Sequence, residues 1–339
     1  MPKFIWGLNL LLVMALISSY VVPLEAALAP TNLTEVYSLL QHCWRIAEDE
    51  YQKAIVSLVE KHLNNYYTTG GYGDMGIYIE EIGSGLQFGH NAERTELRPD
   101  GTRIGYFHTA SVAKLLIAYV FYHLDDLGEE DIWSIHVDPV VGQQQQWQPL
   151  IHRMITHSVN LHHNIMLRYL GAERATATLR RLGLTHSTLT RELAPAPGTS
   201  NATCWERYGT LEPPRTSPFD LGRLLASLAR GDVLSAENNG LFLEALTSTI
   251  YNSRIPQAIN FVVPVAHKTG TKDWVYNDAA LVLLPENEFV LVLLTYGAPG
   301  RIQTVMRAIA RDVYALHCQR RDNGEAARAR ELAAWLKEH

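Results

Sequence analysis

His108-Thr109-Ala110-Ser111-Val112-Ala113-Lys114-Leu115-Leu116-Ile117-Ala118-Tyr119-Val120-Phe121-Tyr122 is the stretch from which the rest of the chain can be organised. After Ser111 it is apolar nearly all round, as in a helix buried on every face, and Lys114 is its only charge. Residues three apart on a helix share a face, so Ser111 and Lys114 are expected one turn apart at the helix head. Removing an ammonium from water favours the neutral amine and lowers the pKa of a buried lysine. A neutral amine can accept the proton of a neighbouring hydroxyl, and the helix N-terminus favours negative charge developing beside it. This is the layout of an activated serine nucleophile. The same spacing also arises when an N-cap serine precedes a solvated lysine, so the pair requires partners elsewhere in the chain.

Upstream of this helix, apolar residues at helical spacing from Leu33 to about Tyr66 predict one long helix or a broken pair. Gly70-Gly71-Tyr72-Gly73 ends it. In Gly76-Ile77-Tyr78-Ile79-Glu80-Glu81-Ile82, residues alternate between two faces, and Gly83-Ser84-Gly85 turns the chain into Leu86-Gln87-Phe88-Gly89, which predicts a β-hairpin. Downstream, Leu150–Leu170, Ala172–Leu182 and Pro218–Leu228 carry helical periodicity. Gln143-Gln144-Gln145-Gln146 reads as a solvated polar tract. Thr190–Ser217, rich in Pro, Gly, Thr and Ser, reads as a long surface loop, and loops of that length inside a domain are usually functional.

Strand patterns return late. Val262–Lys268 is followed by Thr269-Gly270-Thr271, while Ala279–Leu284 and Phe289–Leu294 flank a turn at Pro285-Glu286-Asn287. Ile302–Cys318 is helical, and the charged residues 321–339 extend it. Strands at both ends with helices between them predict an α/β (α+β) fold. One antiparallel sheet is built from the two termini and flanked by helices, and an all-helical lobe is inserted beside it. The 339 residues fit one large domain or two small ones. The net charge of −6 argues against a nucleic-acid surface, which calls for clustered positive charge.

Two further motifs follow the serine and lysine in chain order: Ser158-Val159-Asn160, within the Leu150–Leu170 helix, and Lys268-Thr269-Gly270, at the end of a late strand. Ser-x-x-Lys, Ser-x-Asn and Lys-Thr-Gly in that order form the signature set of penicillin-recognising serine enzymes. On these residues the chain resembles the class A β-lactamases and the broader class-A-like serine hydrolases, from about Leu33 to Cys318. The segments His108–Lys114 and Val265–Thr271 resemble the family's surroundings of the nucleophile and of Lys-Thr-Gly.

The resemblance implies a role for each matched residue. Ser111 attacks a strained amide carbonyl and becomes acylated, with Lys114 as general base. Ser158 passes a proton toward the leaving nitrogen, and Asn160 holds the substrate's side-chain amide and orients Lys114. Lys268, Thr269 and Gly270 form the strand segment that receives the substrate, the first two holding its carboxylate. The backbone N–H groups of Ser111 and Thr271 form the oxyanion hole. Arg254 is a further carboxylate candidate, with a surface arginine as the other reading.

Two departures stand out. Val159 occupies a position where the family usually has aspartate. Hydrolytic members also carry a Glu-x-x-x-Asn pair in the long loop that positions the deacylating water. Here Glu192 is followed four residues on by Ala196, and Glu206 by Thr210. The leading expectation is an exported β-lactamase-like serine hydrolase acting on a β-lactam or a peptidoglycan-like amide. The alternatives are a D-alanyl peptidase or esterase, and a penicillin-binding or sensing protein that acylates without efficient deacylation.

Lys3, the uncharged apolar run Phe4–Leu24 and the small residues Ala26-Ala27 read as an export segment. Residues 1–26 are expected either to be cleaved as a signal peptide or to remain as a membrane anchor. Residues 33–320 then form the hydrolase domain and residues 321–339 a charged helical extension. The expected protein is a monomer outside the cytoplasm, with no cofactor. His152, His157, His162 and His163 fall on more than one helical face without Asp or Cys among them, so no metal site is expected. His267 should point to the strand face opposite Lys268. Cys204, in the loop, has no adjacent activating base in sequence. The family's packing of first and last helices implies that Cys43 and Cys318 lie close enough to pair.

Overall fold

The computed structural model describes residues 50–338 except 99–100, 143, 286 and 298–300, with the backbone alone from 321 onward. Residues 52–323 form one compact unit. Residues 1–26, expected as an export segment, lie outside the described residues, as does Cys43 and with it the expected pairing with Cys318.

A helix over residues 50–68 (α1) buries Ile55, Val59, Leu63 and Tyr66, one side chain per turn. The hairpin follows as β1 (Asp74–Glu81) and β2 (Gln87–His90), paired antiparallel with Ile79 opposite Phe88. Short strands β3 (Thr95–Leu97) and β4 (Arg103–Gly105) pair with each other. β5 (Phe107–His108) then leads through a 3₁₀ turn, Ala110–Val112, into α2 (Ala113–Asp126). Every residue of α2 from Ala113 to Tyr122 is buried, Lys114 included.

Next come β6 (Ile135–Val137) and β7 (Gln144–Gln146), a two-stranded hairpin. Of the glutamines expected as a solvated tract, Gln144 and Gln146 are exposed, and Gln144–Gln146 also pair with β6, a partner the local sequence does not reveal. α3 (Trp147–Thr156), α4 (Asn160–Leu170) and α5 (Ala172–Arg181) complete the first half of the helical lobe. The helix expected from Leu150 to Leu170 is thus broken: Ser158 sits at φ 56°, a left-handed conformation that a right-handed helix cannot contain. The apolar period runs on through the break, so periodicity alone does not show it.

The long loop is also more ordered than its composition suggests. It holds α6 (Asn201–Tyr208), opened by a capping box between Ser200 and Thr203, and β8 (Arg215–Thr216), which pairs with β5. Ser217 and Pro218 then start α7 (Pro218–Arg230), followed by α8 (Ala236–Thr247) and the single turn α9 (Ile255–Ala258).

The last strands are β9 (Val265–Lys272), β10 (Val275–Val282) and β11 (Phe289–Tyr296), before α10 (Ile302–Glu338). The main sheet runs β2-β1-β11-β10-β9, antiparallel throughout, so strands from both ends of the domain close around the inserted helices as the pattern predicted. Lys268-Thr269-Gly270 lies inside β9, not at its end, because pairing with β10 continues to Lys272. Val290, Val292 and Leu294 join the core cluster of α2 and α7, while Phe289 stacks on His317 of α10, so alternation along β11 serves the two faces of the sheet. α10 is tied to α1 by His62 and Asp312 at 2.8 Å.

Candidate active site

β5 brings the chain to Ser111: His108 pairs with Arg215 of β8, and Thr109 donates its backbone N–H to the Pro214 carbonyl at 3.1 Å. Ser111 is half-buried at the start of α2, and Lys114 is wholly buried one turn on. Lys114 Nζ lies 2.9 Å from Ser111 Oγ and 2.7 Å from Asn160 Oδ1. Burial holds this amine well below the ordinary lysine range, and the nearby Lys268 ammonium lowers it further. A neutral Nζ can donate to Asn160 while its lone pair faces the serine hydroxyl.

The break between α3 and α4 delivers the second motif. Its left-handed backbone points Ser158 toward β9, where Ser158 Oγ accepts from Lys268 Nζ at 2.9 Å. Lys268 also donates to the Thr269 carbonyl at 3.0 Å and lies 5.8 Å from the centre of the Tyr251 ring. Burial pushes Lys268 down to about 7; the Asp278 carboxylate opposes this shift and Arg254 adds to it. Asn160 opens α4 and uses both ends of its amide, Oδ1 toward Lys114 and Nδ2 to the Pro195 carbonyl at 3.2 Å.

β9 is the edge strand of the sheet, and its backbone closes on the nucleophile turn at Gly270. A Cβ at that position would lie 2.7 Å from the Thr109 carbonyl oxygen and 3.1 Å from the backbone nitrogen of Ser111, so a glycine is required there. The Ser111 N–H belongs to the first turn, where a helix supplies no acceptor of its own. It faces the strand that presents Thr269, which is buried, and Thr271, which is exposed.

Arg254 is not a surface arginine. It is buried behind β9 and donates to the carbonyls of Gly270 (3.1 Å) and Asn277 and to the Thr271 hydroxyl. His267 points to the same outer face, opposite Lys268 as alternation requires. It lies 2.9 Å from Asp278 Oδ1 and 2.9 Å from Asn252 Oδ1. Asp278 is also tied to the backbone N–H of Ile255 at 3.1 Å. His267, Arg254 and that N–H hold its carboxyl below the usual range against the pull of burial.

The structure thus joins Lys114 to Ser111 and Asn160, joins Lys268 to Ser158, and closes Gly270 against the turn that carries Ser111, with Thr269 buried between Lys268 and Gly270 on β9 and Arg254 bonded to the Thr271 hydroxyl. None of the three glutamates of the long loop, Glu192, Glu206 and Glu212, joins them; Glu212 is paired with Arg98. Glu192 is fully buried and taken up by Arg168, Arg207, Thr199 and Tyr208. Glu206 is exposed on α6. The loop segment next to Asn160 is Ala194-Pro195, both exposed. Cys204 is a buried free thiol on α6. Among the described residues no cluster of His, Cys, Asp and Glu forms a metal-binding group.

One residue the sequence reading passed over is Asn277 on β10. Its Nδ2 donates to the carbonyls of His108 (2.8 Å) and Thr109 (3.1 Å), and its Oδ1 accepts from Thr295 N–H. The signal was present: Asn277-Asp278 are two buried polar residues directly ahead of the apolar run Ala279–Val282.

Solved structures share this architecture. The β-lactamase from Sphaerobacter thermophilus DSM 20745 superposes with a TM-score of 0.62 at 20% identity, covering 78% of this chain and 97% of that one. An ancestral class A β-lactamase gives 0.61 at 22% identity, with 76% and 99% covered. A point mutant of PBP-A, solved as an acyl-enzyme complex with penicillin G, gives 0.61 at 21% identity, with 77% and 96% covered. At these identities the likeness shows the fold. No curated protein matches the chain in sequence. The model of the β-lactamase enzyme family matches residues 58–316, and the chain belongs to that family.

Proposed function

We propose that this protein is an exported serine hydrolase that opens β-lactam or related amides through a Ser111 acyl-enzyme, and that release of the acyl group is its slow step. The observation that carries the reading is the buried Lys114 amine, held between Ser111 Oγ and Asn160 Oδ1. Ser111 Oγ forms a bond to the amide carbonyl carbon as its proton passes to Lys114 Nζ. The oxyanion is stabilised by the backbone N–H groups of Ser111 and Thr271. The C–N bond then breaks, and the nitrogen takes a proton from Ser158, which is resupplied from the lysine side. Lys268, charged by contact with a substrate carboxylate, holds that carboxylate together with Thr269.

The slow release rests on the long loop. A general base for water would have to reach the acyl carbonyl from the segment beside Asn160, and Ala194-Pro195 offers no ionisable group there. Glu192 has its oxygens committed to two arginines, a tyrosine and a threonine. The same argument favours a penicillin-binding or D-alanyl peptidase role, in which a β-lactam is a trapping ligand and the natural substrate a D-alanyl-type amide. Export is supported by Lys3 and the apolar run that follows it.

Incubation with a chromogenic cephalosporin, followed by turnover and intact mass together, tests the reading. An adduct on Ser111 with little turnover, absent in Ser111→Ala, supports it. Sustained turnover assigns an efficient β-lactamase, and neither adduct nor turnover removes β-lactam chemistry.

A further inference from the structure

The residue directly before the nucleophile has an unusual backbone. Ala110 sits at φ 45° and is buried. An L-alanine rarely adopts this left-handed region, because its Cβ crowds the following carbonyl. Something must hold it there, and the side chain two residues back does so: the Ala110 N–H points at His108 Nδ1 at 2.8 Å. That contact needs a bare Nδ1, which fixes the neutral imidazole with its proton on Nε2.

The neighbouring backbone groups have other partners. Asn277 Nδ2 takes the carbonyls of His108 and Thr109, and the Thr109 hydroxyl donates to the Pro214 carbonyl at 3.1 Å. Gly270 closes against the Thr109 carbonyl and the nitrogens of Ser111 and Val112. These contacts hold the His108 and Thr109 carbonyls and close the turn at Ser111 and Val112. The Thr109–Ala110 peptide is planar: Asn277 holds its carbonyl edge and the imidazole holds its N–H edge, so the two contacts fix the plane that leads into Ser111 from opposite sides.

We infer that His108 is a positioning residue for the nucleophile: its Nδ1 accepts the Ala110 N–H, locks the left-handed turn, and so sets the direction of the Ser111 N–H and Oγ for acylation. The inference rests on the proposed role of Ser111 and adds a group that never touches substrate. A doubly protonated ring would turn Nδ1 into a donor facing the Ala110 N–H and open the turn. The surroundings oppose that: burial first, then Lys272 at the end of β9, Arg215 of β8 and Arg191 in the loop before α6, push His108 down to about 3. The lock therefore stays closed across the ordinary range of pH.

The chemistry of the lock suggests its own rescue. An asparagine at 108 carries an oxygen that can accept the N–H two residues on, as in an Asx turn; leucine carries none. A glycine at 110 adopts positive φ without help. Acylation of Ser111 by benzylpenicillin, followed by intact mass against time, should slow at least ~10-fold in His108→Leu. It should recover in His108→Asn and in the double variant His108→Leu/Ala110→Gly. Wild-type rates in His108→Leu, or a slow rate that neither change restores, overturn the inference.

A second readout does not depend on the reaction. ¹⁵N spectra of histidine-labelled protein, assigned by the peak lost in His108→Asn, should report a bare Nδ1 and a protonated Nε2 from pH 8 to 5. An Nδ1–H tautomer at residue 108 overturns the lock even if Ser111 acylates normally. Failure of wild-type protein to acylate would sink the substrate reading and leave this spectrum to decide the lock.

Discussion

Replacing Gly270 with alanine adds one methyl group at the tightest point of the site. Its Cβ would stand 2.7 Å from the Thr109 carbonyl oxygen and 3.1 Å from the nitrogens of Ser111 and Val112. Neither wall yields easily. The Thr109 carbonyl is held by Asn277 Nδ2, and the Gly270 carbonyl by Arg254 at 3.1 Å. The strand and the nucleophile turn must therefore part by several tenths of an ångström. Overpacking of this kind costs about 1–3 kcal/mol, which for a domain of this size lowers the melting temperature by roughly 2–4 °C per kcal/mol. Misplacing reacting groups by about 1 Å can cost ~10²-fold in rate, so Gly270→Ala should acylate ~10- to 100-fold more slowly.

The control is Gly240→Ala on the exposed side of α8, where a Cβ meets nothing within 4 Å. In a helix interior that change should raise stability by up to about 1 kcal/mol and leave acylation alone. Differential scanning fluorimetry and a mass-resolved acylation time course read both variants. Wild-type acylation and melting in Gly270→Ala would refute the close approach of β9 to the nucleophile turn.

Acylation efficiency should be bell-shaped in pH. It falls on the acid side as Lys114 takes a proton and loses its lone pair, and on the alkaline side from about 7 upward as Lys268 loses the charge that binds a carboxylate. Lys268→Arg, which stays charged, should flatten the alkaline limb; an unchanged limb in that variant would remove Lys268 from the assignment. Glu192→Leu leaves Arg168 and Arg207 without a shared carboxylate and should cost about 3–5 kcal/mol in urea unfolding, whereas a loss below about 1 kcal/mol would mean that Asp138 alone suffices for Arg168. Ala194→Glu places a carboxylate beside Asn160 and should shorten the life of the Ser111 adduct by ~10²-fold, the lower range for a general base; an unchanged adduct lifetime would count against the absence of a base in the loop as the cause of slow release.

The hairpin of β1 and β2, the buried α2 and the three late strands follow from local physics. Alternation places a strand's side chains on two faces, and an all-round apolar helix has nowhere to go but the core. The same locality made Ser111-x-x-Lys114 legible, because one helical turn fixes their separation whatever the rest of the chain does. Asn160 and Lys268 were legible as motifs by their order in the chain. Their meeting was not a local property: Lys114 reaches Asn160 across 46 residues, and Lys268 reaches Ser158 across 110.

Sequence alone therefore determined which residue types the site has and on which elements most of them sit. Tertiary structure decided how they are aimed. The left-handed Ser158 interrupts a helix whose apolar period does not change. Arg254 becomes a buried brace because the Gly270 and Asn277 carbonyls come to it from strands that follow it in the chain. Glu192 is consumed by Arg168 from an earlier helix and Arg207 from a later one. Asn277 stands out in the sequence as a polar residue ahead of an apolar run, but its partners, the His108 and Thr109 carbonyls, are backbone groups that no sequence pattern names. Periodicity reports the face a residue shows to the core; the partner it finds there is fixed only when distant segments close on one another.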